Sequence, residues 1–217
     1  MTSHDLGPFH TIVTLPHTFP ATRIINTHIT PCEFNLEVVV APKPHTEKSV
    51  ESAALGFGKI KAWMEIALND TILINNDSDI VHLLEEEVDN VLFKSPGEPD
   101  DVLVASLILS KIRAIVGNNL LIVNVTLWSS DTGNIKRMVA GDLDGLLPGI
   151  EYLGVEAAYK KPWWERETIE TVDFTKEDSK DEYFAELVAG DPLKEIEKAF
   201  LTNEADIITM DTWKPEK

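Results

Sequence analysis

The sequence has little cysteine, few basic side chains and no long apolar run. Cys32 is the only cysteine, which excludes an internal disulfide and favours a reducing, cytoplasmic compartment. No apolar run approaches the roughly 20 residues that a membrane-spanning helix needs. Residues 1–10 contain neither a basic region nor an apolar core, so we predict no signal peptide and no membrane association.

The shortage of basic side chains limits the partners that the chain can bind. Its 19 lysines and arginines stand against 37 aspartates and glutamates, which gives a formal net charge of −18. Nucleic acids and anionic membranes both bind to basic patches, so neither is an expected partner. With 43% hydrophobic residues, the 217-residue chain can still bury a core of domain size.

Strand and helix patterns follow one another between residues 9 and 142. Apolar side chains alternate in some stretches and recur at helical spacing in others. Asp100 or Asp101 is the expected N-cap of the second helix, and Gly117 is its expected end. The patterns predict strands over 9–19, 27–41, 120–128 and 135–140, and helices over 49–68 and 101–116. We therefore predict an α+β fold, an antiparallel four-stranded sheet in the order ββααββ with both helices on one face.

The rest of the chain is predicted from its composition. Residues 1–8 are expected to be a flexible N-terminus, and residues 143–217 an acidic, aromatic-containing C-terminal extension of the 9–142 domain. Residues 151–217 hold 18 acidic and 9 basic side chains, yet they also include Trp163 and Trp164. A disordered tail rarely carries so many aromatics, so we expect this extension to pack on the body or on a neighbouring subunit. Open sheet edges further predict a homo-oligomer.

Four stretches carry a resemblance to a known family. They are FPATR at 19–23, TPCEFNLEV at 30–38, the helix and following segment from Gly58 to Leu73, and Pro99 with Val104 and Ala105. In these stretches the chain resembles the 6-pyruvoyl-tetrahydropterin synthase and 6-carboxy-tetrahydropterin synthase family, which has the tunnelling fold. The resemblance implies a homo-oligomer that binds a pterin-like or purine-like heterocycle at a subunit interface.

Most positions that perform chemistry in that family are occupied by other residues here. The replacements are Arg23 for a zinc-binding histidine, Thr30 and Cys32 for two further zinc-binding histidines, Asp70 for a proton-transferring histidine, and Leu127 for a glutamate that grips the pterin ring. Three functions therefore stay open: a divergent heterocycle-binding relative, an inactive assembly with a structural or regulatory role, and a zinc-independent lyase that uses carboxylates.

A zinc site is one candidate for the chemistry of this chain. His28 and Cys32 share a face of the second predicted strand, because side chains at alternate positions point the same way. Both are good zinc ligands, and His17 in the first strand is the third candidate. The alternative is that His28 is a surface residue and Cys32 a small buried hydrophobe. No cofactor is expected, and zinc is the one candidate that stays open.

Two further sets of residues are candidates. Asp70 and Glu33 are the predicted catalytic carboxylates, since a pair held in a dry cleft can split its pKa values for general acid–base work. Trp128, Leu127 and Asp101 are the predicted ligand-binding residues, with Trp128 stacking on the heterocycle. The alternatives are solvated carboxylates for the first set and ordinary packing for the second.

Overall fold

The computed structural model describes residues 12–42, 47–89, 91–143, 145–180 and 182–201. The N-terminus predicted over residues 1–8 lies outside these ranges. Six strands and five α-helices are formed within them. The strands are β1 (Val13–Ile25), β2 (His28–Pro42), β3 (Thr71–Asn75), β4 (Leu92–Ser95), β5 (Leu120–Ser129) and β6 (Ile135–Met138). The helices are α1 (Glu47–Ala67), α2 (Val81–Glu87), α3 (Asp101–Val116), α4 (Glu182–Ala189) and α5 (Pro192–Leu201).

All six strands belong to one mixed sheet in the order β4-β3-β1-β2-β5-β6. The β1–β2, β2–β5 and β5–β6 pairs are antiparallel, whereas β1–β3 and β3–β4 are parallel. The prediction of a tunnelling fold with a four-stranded antiparallel ββααββ sheet is therefore wrong. The broader α+β class is confirmed.

The error arose from β3 and β4, which are short and buried on both faces. The first four residues of β3 are all buried, so its sequence TILIN shows no alternation. Parallel strands inside a sheet read as continuous apolar runs, and periodicity alone does not separate such runs from helix. Helix α2 connects the two strands and covers the opposite face of the sheet, where Val81 packs on Ile72 and Ile74.

Helix α3 lies at the centre of the protein. Eleven of its residues are buried, including the predicted stripe of Val104, Ile108, Ile112 and Ile115. It contacts α1, β5 and a 3-10 turn at Trp163–Glu165, so most of its surface is covered, whereas Arg113 is exposed. A helix that is buried on most sides has little room for polar side chains there, and those it does carry need partners.

The ends of α3 follow the sequence signals. The side chain of Asp100 is the N-cap and accepts a hydrogen bond from the Leu103 amide at 2.8 Å. Gly117 ends the helix with φ of 51°, a left-handed angle that glycine adopts without strain. Both boundaries agree with the prediction, which leaves Asp101 free for another role.

Three prolines lie inside β1 and β2 without breaking the sheet. Pro20 directs its carbonyl toward the β3 side, where it accepts from the Asp70 amide at 3.0 Å. Pro16 has the same orientation, but β3 pairs with β1 only from Ala21 onward. Pro31 likewise precedes the part of β2 that pairs with β5. Each proline therefore sits where no neighbouring strand requires its missing N–H.

The described part of the C-terminal extension packs on the same chain. Trp163 and Trp164 are both fully buried in the core that lies between the sheet, α1 and α3. The indole of Trp163 donates to the Lys94 carbonyl at 2.8 Å, and the Lys94 amide donates to the Thr171 carbonyl at 3.0 Å. These bonds cover the outer edge of β4. Within the described ranges, no helix has the length and apolarity to cross a membrane.

Candidate functional site

The three predicted zinc ligands are far apart in the structure. The β1–β2 register places Cys32 opposite Ala21, His17 opposite Leu36 and His28 opposite Ile25. Each histidine is thus four strand residues from the cysteine, about 13 Å, whereas zinc ligands lie about 2 Å from the metal. Burial raises the pKa of the Cys32 thiol to about 11, so the zinc-binding thiolate is disfavoured. Among the described residues, no group of three or more His, Cys, Asp or Glu could hold a metal ion.

We predict that protein purified without chelator contains less than about a tenth of an equivalent of zinc per chain, because the three side chains cannot share one ion. Elemental analysis by mass spectrometry measures this directly. Stoichiometric zinc that is lost in Cys32→Ser would contradict the prediction and restore the metal site.

The two candidate catalytic carboxylates lie in one row across the exposed face of the sheet. Glu33 pairs with Pro20 on one side, and Asp70 donates its amide to Pro20 on the other. Two strand spacings separate their backbones by about 9.6 Å. Both residues are exposed, so this row is not the dry cleft that a split carboxylate pair requires.

The three predicted ligand-binding residues point to different places. Leu127 is fully buried in the core opposite Leu36. Trp128 follows it in the strand and therefore faces the other side of the sheet, where it is half-buried beside Asn35. Asp101 is 4% exposed and is engaged within the chain. The structure does not bring these side chains together around one ligand.

Asp101 is the centre of a buried polar network. Its Oδ1 accepts from Arg23 Nη2 at 2.6 Å and from Ser129 Oγ at 2.9 Å, and its Oδ2 accepts from Thr132 Oγ1 at 2.6 Å. Burial alone would raise the pKa of Asp101, but these hydrogen bonds together hold that pKa below its ordinary value. The guanidinium of Arg23 also lies 5.0 Å from the centre of the Phe34 ring. This network joins the start of α3 to β1 and the β5–β6 turn.

A cleft of about 470 Å³ lies at the other end of α3, and we call it the α3–β5 cleft. Its size falls within the range of small-molecule sites. Three segments form it: the last turns of α3, the first residues of β5, and two residues from the chain that follows β6. The lining residues are Ser110, Arg113, Ala114, Val116, Gly117, Leu120, Leu121, Ile122, Ala140 and Glu165.

The α3–β5 cleft combines aliphatic side chains with one positive and one negative side chain. Arg113 comes from the last turn of α3, and Glu165 from the 3-10 turn of the C-terminal segment. Both side chains belong to exposed residues and can reach a ligand. A guanidinium donates planar, paired hydrogen bonds and stacks on rings, whereas a carboxylate accepts paired N–H donors.

The fully buried Lys111 follows the cleft residue Ser110 in α3. Its Nζ donates to the carbonyl of Trp163 at 2.8 Å and to the carbonyl of Arg166 at 3.1 Å. Burial lowers the pKa of Lys111 to about 7, while the nearby Glu170 opposes that shift. This amine therefore fixes the backbone on both sides of Glu165.

Several other charged groups are buried around Lys111. Arg166 pairs with Asp173 at 3.3 Å, and its guanidinium lies 3.9 Å from the centre of the Tyr159 ring. Burial raises the pKa of Glu170 and raises that of Asp173 to about 6. Strongly shifted pKa values next to a cleft are typical of functional sites, although structural ion-pair networks produce them too.

The sequence contains a signal for the burial of Lys111. Val104, Ile108, Lys111 and Ile115 follow helical spacing, so Lys111 occupies a position in the apolar stripe. A lysine at such a position is buried and needs carbonyl or carboxylate partners. Glu165 gave no comparable signal, because only tertiary packing brings it to α3.

Comparison with known proteins leaves the family of the chain open. No protein-family model matches the sequence, and no curated protein is significantly similar to it. The functional argument therefore rests on the site itself.

Proposed function

We propose that this protein binds a small planar heterocycle, of the pterin or purine type, in the α3–β5 cleft. The observation that carries the proposal is the presence of Arg113 and Glu165 on one cleft of about 470 Å³. The resemblance placed such a ligand between subunits. The cleft instead offers a place for it within one chain.

The chemistry of the two charged side chains supports this choice of ligand. Pterin and guanine carry an amino group beside a ring N–H, and a carboxylate such as Glu165 accepts both donors. The same rings carry a carbonyl group that a guanidinium such as Arg113 can bind or stack beside. The aliphatic side chains among the lining residues can contact the faces of a flat ring. We propose binding and not catalysis, because Asp70 and Glu33 do not line the cleft.

Pterin at millimolar concentration is expected to raise the melting temperature of the wild-type protein. Glu165→Gln should weaken pterin binding about tenfold, because a hydrogen bond to a charged group is replaced by a weaker one. Arg113→Met should have an effect of similar size. Isothermal titration calorimetry measures both affinities.

The matched control is Glu167→Gln, because Glu167 is also exposed and lies two residues from Glu165 but does not line the cleft. Its pterin affinity should equal that of the wild type. If no pterin or purine shifts the melting temperature of the wild type, the proposal fails. An assembly with a structural or regulatory role then becomes the better hypothesis.

Two other predictions accompany the proposal. Homo-oligomerisation follows from the sequence argument alone, and the native mass of the purified chain tests it. We also propose a cytoplasmic location, on the grounds that Cys32 is the only cysteine of the chain.

A further inference from the structure

Lys111 connects the interior of the protein to one wall of the α3–β5 cleft. The 3-10 turn that carries Glu165 is closed by backbone bonds from Glu165 to Pro162 and from Arg166 to Trp163. Lys111 Nζ donates to the carbonyls of Trp163, the first residue of this turn, and Arg166, the residue that follows it. Both ends of the turn are therefore fixed to α3, the helix that also carries Arg113.

Lys111 is the polar side chain through which α3 hydrogen-bonds to this turn, and it has none of the usual features of a surface lysine. It is fully buried and its Nζ lies 5.7 Å from the centre of the Trp163 ring. Burying an amine is unfavourable unless its hydrogen bonds are made. A methionine or leucine would fill the same space in the core at a lower desolvation cost. The contribution that only the amine makes is its hydrogen bonds to the two backbone carbonyls.

We propose that Lys111 is a positioning residue for Glu165, and that it gives the cleft its preference for rings with an amino group. This inference rests on the proposed function and extends it from a ligand class to a basis for selectivity. The carboxylate accepts two N–H donors in parallel only if its backbone is held at a fixed distance and angle from Arg113. Lys111 supplies that restraint without touching the ligand.

The test compares pterin with lumazine, which has a carbonyl in place of the 2-amino group. Wild-type protein should bind pterin at least about tenfold more tightly than lumazine, because only pterin donates both an amino N–H and a ring N–H to the Glu165 carboxylate. Lys111→Met fills the same volume but cannot donate, so its pterin affinity should fall toward its lumazine affinity. Glu165→Gln should reduce the ratio to the same extent.

A purely structural role for Lys111 predicts a different result. Loss of general packing would weaken both ligands equally and would leave the ratio of their affinities unchanged, which would overturn the proposal. The proposal would also be overturned if Lys111→Met kept the wild-type affinity for both ligands.

A measurement on the wild type without ligand covers the case in which Lys111→Met does not fold. Hydrogen exchange of the Glu165 and Arg166 amides should be as slow as that of the α3 interior, because the turn is fixed to this helix. Exchange at the rate of an exposed loop would overturn the positioning role. If the wild type binds neither probe, the proposed function and the selectivity both fail. Fast exchange of the two amides would overturn the positioning role separately, whatever the binding result.

Discussion

Replacing Asp101 by alanine is expected to lower the free energy of unfolding by about 3–5 kcal/mol, the cost of breaking a buried ion pair by removing one partner. Arg23 would keep its charge at 2% exposure and would lose the 2.6 Å bond to Asp101, keeping only the longer 3.5 Å contact with Asp131. Ser129 and Thr132 would lose their acceptor as well. Urea unfolding followed by circular dichroism measures the loss.

Asp100→Ala is the matched control, since it removes the same charge from the neighbouring position. Asp100 is exposed and caps α3 through one bond to the Leu103 amide. Loss of an N-cap costs about 1 kcal/mol. Equal losses in the two variants would contradict the central position that we assign to Asp101.

The contribution of Asp101 also has a predicted pH dependence. The pKa of Asp101 is lower in the folded chain than in the unfolded chain. Its stabilising effect is therefore fully present above the unfolded value, about 4, and is lost as the pH falls from there through the lowered folded value. The difference in stability between wild type and Asp101→Ala should shrink over that acid range and stay constant near neutral pH.

Replacing Trp163 by alanine is the second change with a large expected effect, about 3–5 kcal/mol, the usual cost of deleting a buried aromatic side chain. Trp163 is fully buried and contacts the Phe93 ring edge-on at a centroid distance of 4.8 Å. Its indole N–H also satisfies the Lys94 carbonyl. The variant leaves a cavity and an unpaired carbonyl together.

Trp128→Ala provides the comparison for this prediction. Trp128 is half-buried on the exposed face of the sheet, so its removal should cost only about 1–2 kcal/mol. Chemical denaturation of both variants gives the two values. If Trp128→Ala were the more damaging change, the C-terminal segment would not belong to the core as we describe it.

Local signals in the sequence predicted the elements well where periodicity was strong. The N-cap at Asp100, the stop at Gly117 and the alternation of Leu127 with Trp128 are all properties of a few adjacent residues. Backbone conformation at such sites depends mainly on nearby side chains, so a sequence is sufficient to infer them.

The candidate sites were predicted less well because they depend on residues that are distant in the chain. His17, His28 and Cys32 share one face of the β1–β2 hairpin, as alternation requires, but strand register separates them along its length. Asp101 was a candidate for binding a ligand, yet Arg23, 78 positions away, engages it. Pairings of this kind are set by register and packing, which periodicity does not specify.

The sequence by itself determined the α+β class, the central helix α3 and the strands β2 and β5, because each of these follows from local periodicity and capping. It did not show that β1 continues to Ile25, beyond the predicted end at residue 19. Only the tertiary structure decided that β3 and β4 join the sheet in parallel, that Trp163 and Trp164 complete the core, and that Glu165 reaches the cleft beside Arg113. The physical reason is that these features bury apolar surface and pair polar groups between segments far apart in the chain. No stretch of neighbouring residues records such contacts.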